Sequence, residues 1–182
     1  MEEQAEGLRE LMKEGAHEKK RTSSAKDAHK TRILAITSGK GGVGKSNIAV
    51  NMAIAYAQIG KRVILIDGDL GMANINVLLN QVPPYNLMHV IDKKKTMKEI
   101  ILDTEFNIKF IAGANGLSKI ANLSVKELED FAKQFASLGS ADIIIIDTGA
   151  GIGGNTQLFL EAADEVIVVT VPDPAAITDA YA

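Results

Sequence analysis

The stretch Gly39-Lys40-Gly41-Gly42-Val43-Gly44-Lys45-Ser46 constrains this chain more than any other feature. It fits the pattern G-x-x-x-x-G-K-[ST], between an apolar run at 33–37 and a segment at 46–59 whose Ile48, Met52, Ala55 and Ile59 recur at helical spacing. Such a loop is delivered by a strand and taken over by a helix. Its glycines let backbone N–H groups converge on an anion, and the helix N-terminus adds positive potential there. Lys45 is expected to reach the β- and γ-phosphates of a nucleotide, and the Ser46 hydroxyl to ligate Mg²⁺. The expected nucleotide-binding stretch runs from Gly39 to Asn47.

The rest of the body has a matching rhythm. Apolar strand runs are predicted at 63–67, 108–112, 143–146 and 165–171, with Gly60 and Lys61 stopping the first helix. Short helical pieces follow Pro83-Pro84 within 83–104. Ser124-Val-Lys-Glu127 reads as a capping box, opening a helix whose Val125, Leu128, Ala132 and Phe135 face inward. Strands without two-residue alternation, alternating with helices, predict an α/β fold: a mostly parallel sheet covered by helices on both faces. A helical pattern begins at Pro174 and stops at Ala182, so the chain reads as truncated at its C-terminus.

Ahead of the body, residues 1–16 read as an amphipathic helix with Ala5, Leu8, Leu11 and Met12 on one face. Residues 17–31 form a basic, flexible linker without apolar periodicity. The nucleotide-binding domain is expected over 32–182. Zero cysteines exclude disulfides and a Cys-ligated iron–sulfur cluster within these 182 residues. No apolar run is long enough to span a bilayer and no secretion signal opens the chain, so a soluble intracellular domain is expected. A net charge of −3, with the basic excess confined to the lead-in, does not fit a dedicated nucleic-acid domain.

Two acidic elements complete the expected site. Asp147 follows Ile143–Ile146 and precedes Thr148-Gly149-Ala150-Gly151, where a carboxylate beside the phosphate loop would hold Mg²⁺ directly or through water. Gly149 could offer its N–H to a γ-phosphate oxygen, making 147–155 a segment that senses that phosphate. Asp67-Gly-Asp69-Leu-Gly-Met-Ala-Asn74 supplies a second metal-shell candidate, Asp67, and a candidate for positioning the attacking water, Asp69. Gly39-x-Gly41-x-x-Gly44 with Asp67 also matches a dinucleotide fingerprint, but a pyrophosphate of that kind has no need of Lys45-Ser46.

The second lysine, Lys40, resembles the early lysine in the deviant phosphate loop of the MinD/ParA ATPases. That resemblance implies that Lys40 reaches across a dimer to the partner's nucleotide, making Lys40 and Asp69 the catalytic candidates. It also implies ATP or ADP with Mg²⁺ as ligands, and adenine contacts from late strands beyond residue 182; Pro172 and Asp173 are further nucleotide-binding candidates. Within the family, 67–74, 147–152 and 170–181 look like the flagellar number regulators. Gln4-Ala5-Glu6-Gly7-Leu8-Arg9 resembles the tail motif with which they stimulate an SRP-type GTPase (FlhF-like), with Glu3 where that motif usually has Asp. Gln4, Ala5, Leu8 and Arg9 are thus the partner-binding candidates.

The expected function is an ATP-dependent dimerisation switch with slow hydrolysis that sets flagellar number or placement, acting with flagellar basal-body components. The resemblance further implies peripheral membrane attachment, through a C-terminal helix absent from this chain, of an otherwise cytoplasmic protein. A chromosome-partitioning or division-site ATPase of the same family, or an interaction module with incidental hydrolysis, are the alternatives.

Overall fold

A computed structural model describes residues 31–69, 73–113, 130, 134, 141–151 and 153–181. The predicted N-terminal helix, the linker up to residue 30, and the inward face proposed for the helix after Ser124 lie outside these residues.

The described strands form one sheet: β1 (Arg32–Ser38), β2 (Val63–Gly68), β3 (Leu102–Asp103), β4 (Lys109–Ile111), β5 (Ile143–Ala150) and β6 (Glu165–Val168), in the order β3-β4-β2-β5-β1-β6. All neighbouring pairs are parallel except β3 with β4. The short antiparallel β3 was not among the predicted strands, since two residues carry no periodicity. The helices described in full are α1 (Lys45–Gln58), α2 (Ile75–Leu78), α3 (Leu87–Ile91), α4 (Met97–Ile100), α5 (Gly154–Ala162) and α6 (Pro174–Tyr181).

The sheet is buried on two faces. Ile33, Ala35, Ile64, Ile66, Ile144 and Ile146 pack with Leu87, Val90, Met97, Ile100 and Phe159 on one side. Leu34, Ile36, Leu65, Phe110, Ile143 and Ile145 pack with Ala49, Val50, Ala53, Ala57 and Ile75 on the other. Alternate residues of each central strand therefore serve opposite cores, which explains the unbroken apolar runs. Each fully buried Ile or Leu contributes roughly 1.5–3 kcal/mol of transfer free energy.

Two sequence expectations change. The buried stripe of α1 is Ala49, Val50, Ala53 and Ala57, whereas Ile48 is 38% exposed and Ile59 69% exposed. Small alanines let α1 lie close to the sheet, and Lys45 at its start must point inward, which sets the helix phase. The second change concerns 165–171, expected to be covered on both faces. Only Glu165–Val168 is strand, and Val166 and Val168 are 44% and 50% exposed. β6 has a single hydrogen-bonded neighbour in the described sheet, so its outer side meets no other described strand.

Candidate nucleotide site

The loop between β1 and α1 lies at the C-terminal edge of the sheet, where parallel strands direct their chain ends into a crevice. Gly44 caps α1 with φ +93°, a left-handed conformation that disfavours any side chain. This turn lets the helix begin at Lys45 with its first N–H groups facing the crevice. A cavity of about 550 Å³ opens there, and its walls include Gly41, Gly42, Gly44, Lys45, Ser46, Asn47 and Asp69.

At the foot of this cavity Lys45 Nζ lies 2.7 Å from Asp147 Oδ1. Both side chains are almost fully buried, at 8% and 0% exposure. Asp147 Oδ2 is buried and has no hydrogen-bond partner. Burial pushes the Asp147 carboxyl up from its ordinary value, while the Lys45 charge and the Ser46 hydroxyl pull it back. Asp147 is not the last residue of its strand, because β5 runs on to Ala150. The register places it beside Ile36 of β1 and Asp67 of β2. A carboxylate on the strand next to the loop and an orphaned acceptor beneath a lysine form a ready cation-and-phosphate pair of positions. Among the described residues no cluster of three His, Cys, Asp or Glu side chains exists that could hold a metal without a ligand's help.

Asp67 does something different from Asp147. It is fully buried, and both oxygens accept backbone N–H groups: Oδ1 from Asp69 at 3.2 Å, Oδ2 from Asn74 at 3.1 Å and Ile75 at 3.2 Å. Its carboxyl organises the turn that brings Asp69 to the cavity. Burial raises its pKa to about 7, against the pull of those N–H groups. Asp69 Oδ1 is 3.7 Å from the position a Cβ would take on Gly149, so the ends of β2 and β5 meet at the cavity wall.

The expected residues do not all converge. Ala150, one residue after Gly149, lines the cavity. Pro172 and Asp173 do not line it, and Asp173 instead pairs with Lys40, Nζ to Oδ2 at 3.3 Å. Gln4, Ala5, Leu8 and Arg9 lie outside the described residues. Sequence reasoning assigned no role to Asn74, Val77 and Leu78, which form part of the cavity wall. Their signal was faint: one asparagine and two apolar residues after Gly71, with Val77 left 74% exposed.

Fold and site together define a phosphate-loop nucleotide-binding protein of the parallel α/β class. A family model described as an AAA domain matches residues 31–180. The chain belongs to that family, on its MinD/ParA side. It is 44% identical over 153 residues to a flagellum site-determining protein, YlxH, of Helicobacter pylori, covering 84% of this chain and 52% of that protein. It is 38% identical over 155 residues to the antiactivator FleN of Pseudomonas aeruginosa, covering 85% and 55% respectively. The structure of the septum site-determining protein MinD from Pyrococcus horikoshii, complexed with Mg-ADP, superposes with a TM-score of 0.68 at 30% identity, over 82% of this chain and 61% of that one. The chain thus spans about half the length of the curated relatives it matches.

Proposed function

We propose that this chain carries the nucleotide switch of a flagellar number regulator, binding Mg-ATP, dimerising, and returning to monomer through slow hydrolysis. The observation that carries the reading is the buried Lys45–Asp147 pair beneath the glycine loop, with Asp147 Oδ2 left without a partner. The named role of the YlxH relative supports its flagellar setting, and the Mg-ADP of the Pyrococcus protein supports its ligand.

The chain's own residues divide the work. Loop N–H groups and Lys45 bind the phosphates, Lys45 exchanging its carboxylate partner for a phosphate oxygen. The Ser46 hydroxyl and Asp147 would hold Mg²⁺, which when bound neutralises charge on the β- and γ-oxygens. Asp67 stands behind them and fixes the turn of Asp69. Asp69, on the cavity wall, orients the attacking water. Lys40 does not line its own cavity, and its role is to reach a second subunit's nucleotide. Partners read the dimer as a change of surface, so the output is affinity and no metabolic product. The tail residues Gln4, Ala5, Leu8 and Arg9 act on an SRP-type GTPase, and membrane attachment accompanies the dimer. Among the described residues no helix is long and apolar enough to cross a membrane.

The test is the light-scattering mass of the Asp69→Ala protein. A dimer is expected with Mg-ATP and not with Mg-ADP, and Lys40→Ala in addition should abolish it. Nucleotide binding without any dimer would refute the switch.

A further inference from the structure

The early lysine of the loop is held by its own chain. Lys40 Nζ lies 3.3 Å from Asp173 Oδ2, across 133 residues of sequence. Asp173 caps α6: its carboxylate accepts the Ala176 N–H at 3.4 Å and its carbonyl accepts the Ile177 N–H at 3.0 Å. The other end of the same helix presses on the residue before Lys40. A Cβ on Gly39 would stand 2.1 Å from the backbone carbonyl carbon of Asp179, so only glycine permits that approach. Helix α6 therefore grips residues 39 and 40 at both of its ends. The backbone of Lys40 is fixed as well, its carbonyl accepting the Ser38 hydroxyl at 3.0 Å.

We propose that Asp173 is a latch for Lys40: it holds the lysine against its own chain, and the pair must open before Lys40 can reach a nucleotide on a second subunit. The inference rests on the dimerisation reading above. A lysine neutralised by a carboxylate has little net charge to offer a phosphate, so the closed pair opposes the crossing. Half-exposed side chains, at 51% and 46%, make the pair weak enough to open during binding. Lys40 also draws the Asp173 carboxyl below its ordinary value, consistent with the pairing. Asp173 is accordingly a positioning residue, acting through Lys40.

Asp173→Asn in the full-length protein tests this, because the amide oxygen keeps the α6 cap while the charge is lost. The readout is the protein concentration at half-dimerisation with Mg-ATP, in the Asp69→Ala background. Asp173→Asn should tighten the dimer about two- to fivefold, the fold-change of an ordinary exposed ion pair. The gain should shrink in 0.5 M salt, since the pair it removes is screened there. If Lys40→Ala still leaves a measurable dimer, Asp173→Asn should give no gain in that background. A purely structural role for Asp173 would weaken dimerisation or leave it unchanged, and either result overturns the latch. Asp173→Ser, which also retains a cap, should repeat the gain if the asparagine variant misfolds. If the Asp173-intact protein forms no dimer with ATP, the switch reading falls and the latch with it. A dimer there without tightening in the variants removes the latch alone.

Discussion

Replacing Lys45 by Met should expose the energetics of the site without any nucleotide. The side chains of Lys45 and Asp147 are nearly excluded from solvent and meet at 2.7 Å. Removing one partner of a buried pair costs about 3–5 kcal/mol, because the remaining charge has neither water nor counterion. Asp147 can escape only by taking up a proton. Holding a carboxyl protonated at pH 7, against an unfolded value near 4, costs about 4 kcal/mol, and at pH 5 about 1.5 kcal/mol. The folded value is the higher one, so the folded state binds the extra proton and stability falls as pH rises. Lys45→Met should therefore lose about 3–4 kcal/mol relative to wild type at pH 7 and about 1–2 kcal/mol at pH 5. Asp147→Asn added to it should recover most of the pH 7 loss. The assay is urea unfolding of the three proteins at both pH values, each variant referenced to wild type. A loss under about 1 kcal/mol at both pH values would refute the buried-pair reasoning.

Other outcomes follow from the same geometry. Asp67, with its pKa raised to about 7, binds a proton in the folded state that the unfolded chain has released above pH 4. Its contribution should lower stability by up to about 1.4 kcal/mol per pH unit between pH 5 and 7 and level off above, and urea midpoints of Asp67→Asn should lack that slope. Gly39→Ala drives a Cβ into the Asp179 backbone, so calorimetry should show a loss of about 1–3 kcal/mol, and Mg-ADP titration a weakened affinity. Ala53→Leu should cost about 1–3 kcal/mol by overpacking α1 on the sheet, whereas Ile48→Ser should change stability by less than about 0.5 kcal/mol in the same thermal melts. Arg62→Ala, removing an exposed guanidinium from Asp142, should cost about 1 kcal/mol or less.

The phosphate loop was legible because its chemistry is local. Gly39 to Ser46 are contiguous, and glycine backbone freedom plus a strand before and a helix after leave few other shapes. The parallel, doubly covered sheet was legible for a related reason: Ile143–Ile146 is apolar at every position, which suits a central strand with a core on each face. Residue spacing gave the helix α1 without its buried face, because periodicity weighs size and hydrophobicity while packing against a sheet favours the small residues Ala49, Ala53 and Ala57. It also could not separate the duties of Asp67 and Asp147. Both are buried carboxylates on neighbouring strands, but one meets three backbone N–H groups and the other meets a lysine through Oδ1 and leaves Oδ2 without a partner. That difference depends on where the chain turns after each strand.

By itself, then, the sequence determined what rests on near neighbours: the loop, its lysines and hydroxyl, and the alternation of strand and helix. Tertiary structure alone decided which distant groups meet, Lys45 with Asp147 across 102 residues and Lys40 with Asp173 across 133. Residues so far apart in the chain meet only when the sheet order and helix docking bring them together. A pair's burial is likewise a property of the packed fold, and so is any protonation shift that follows from it.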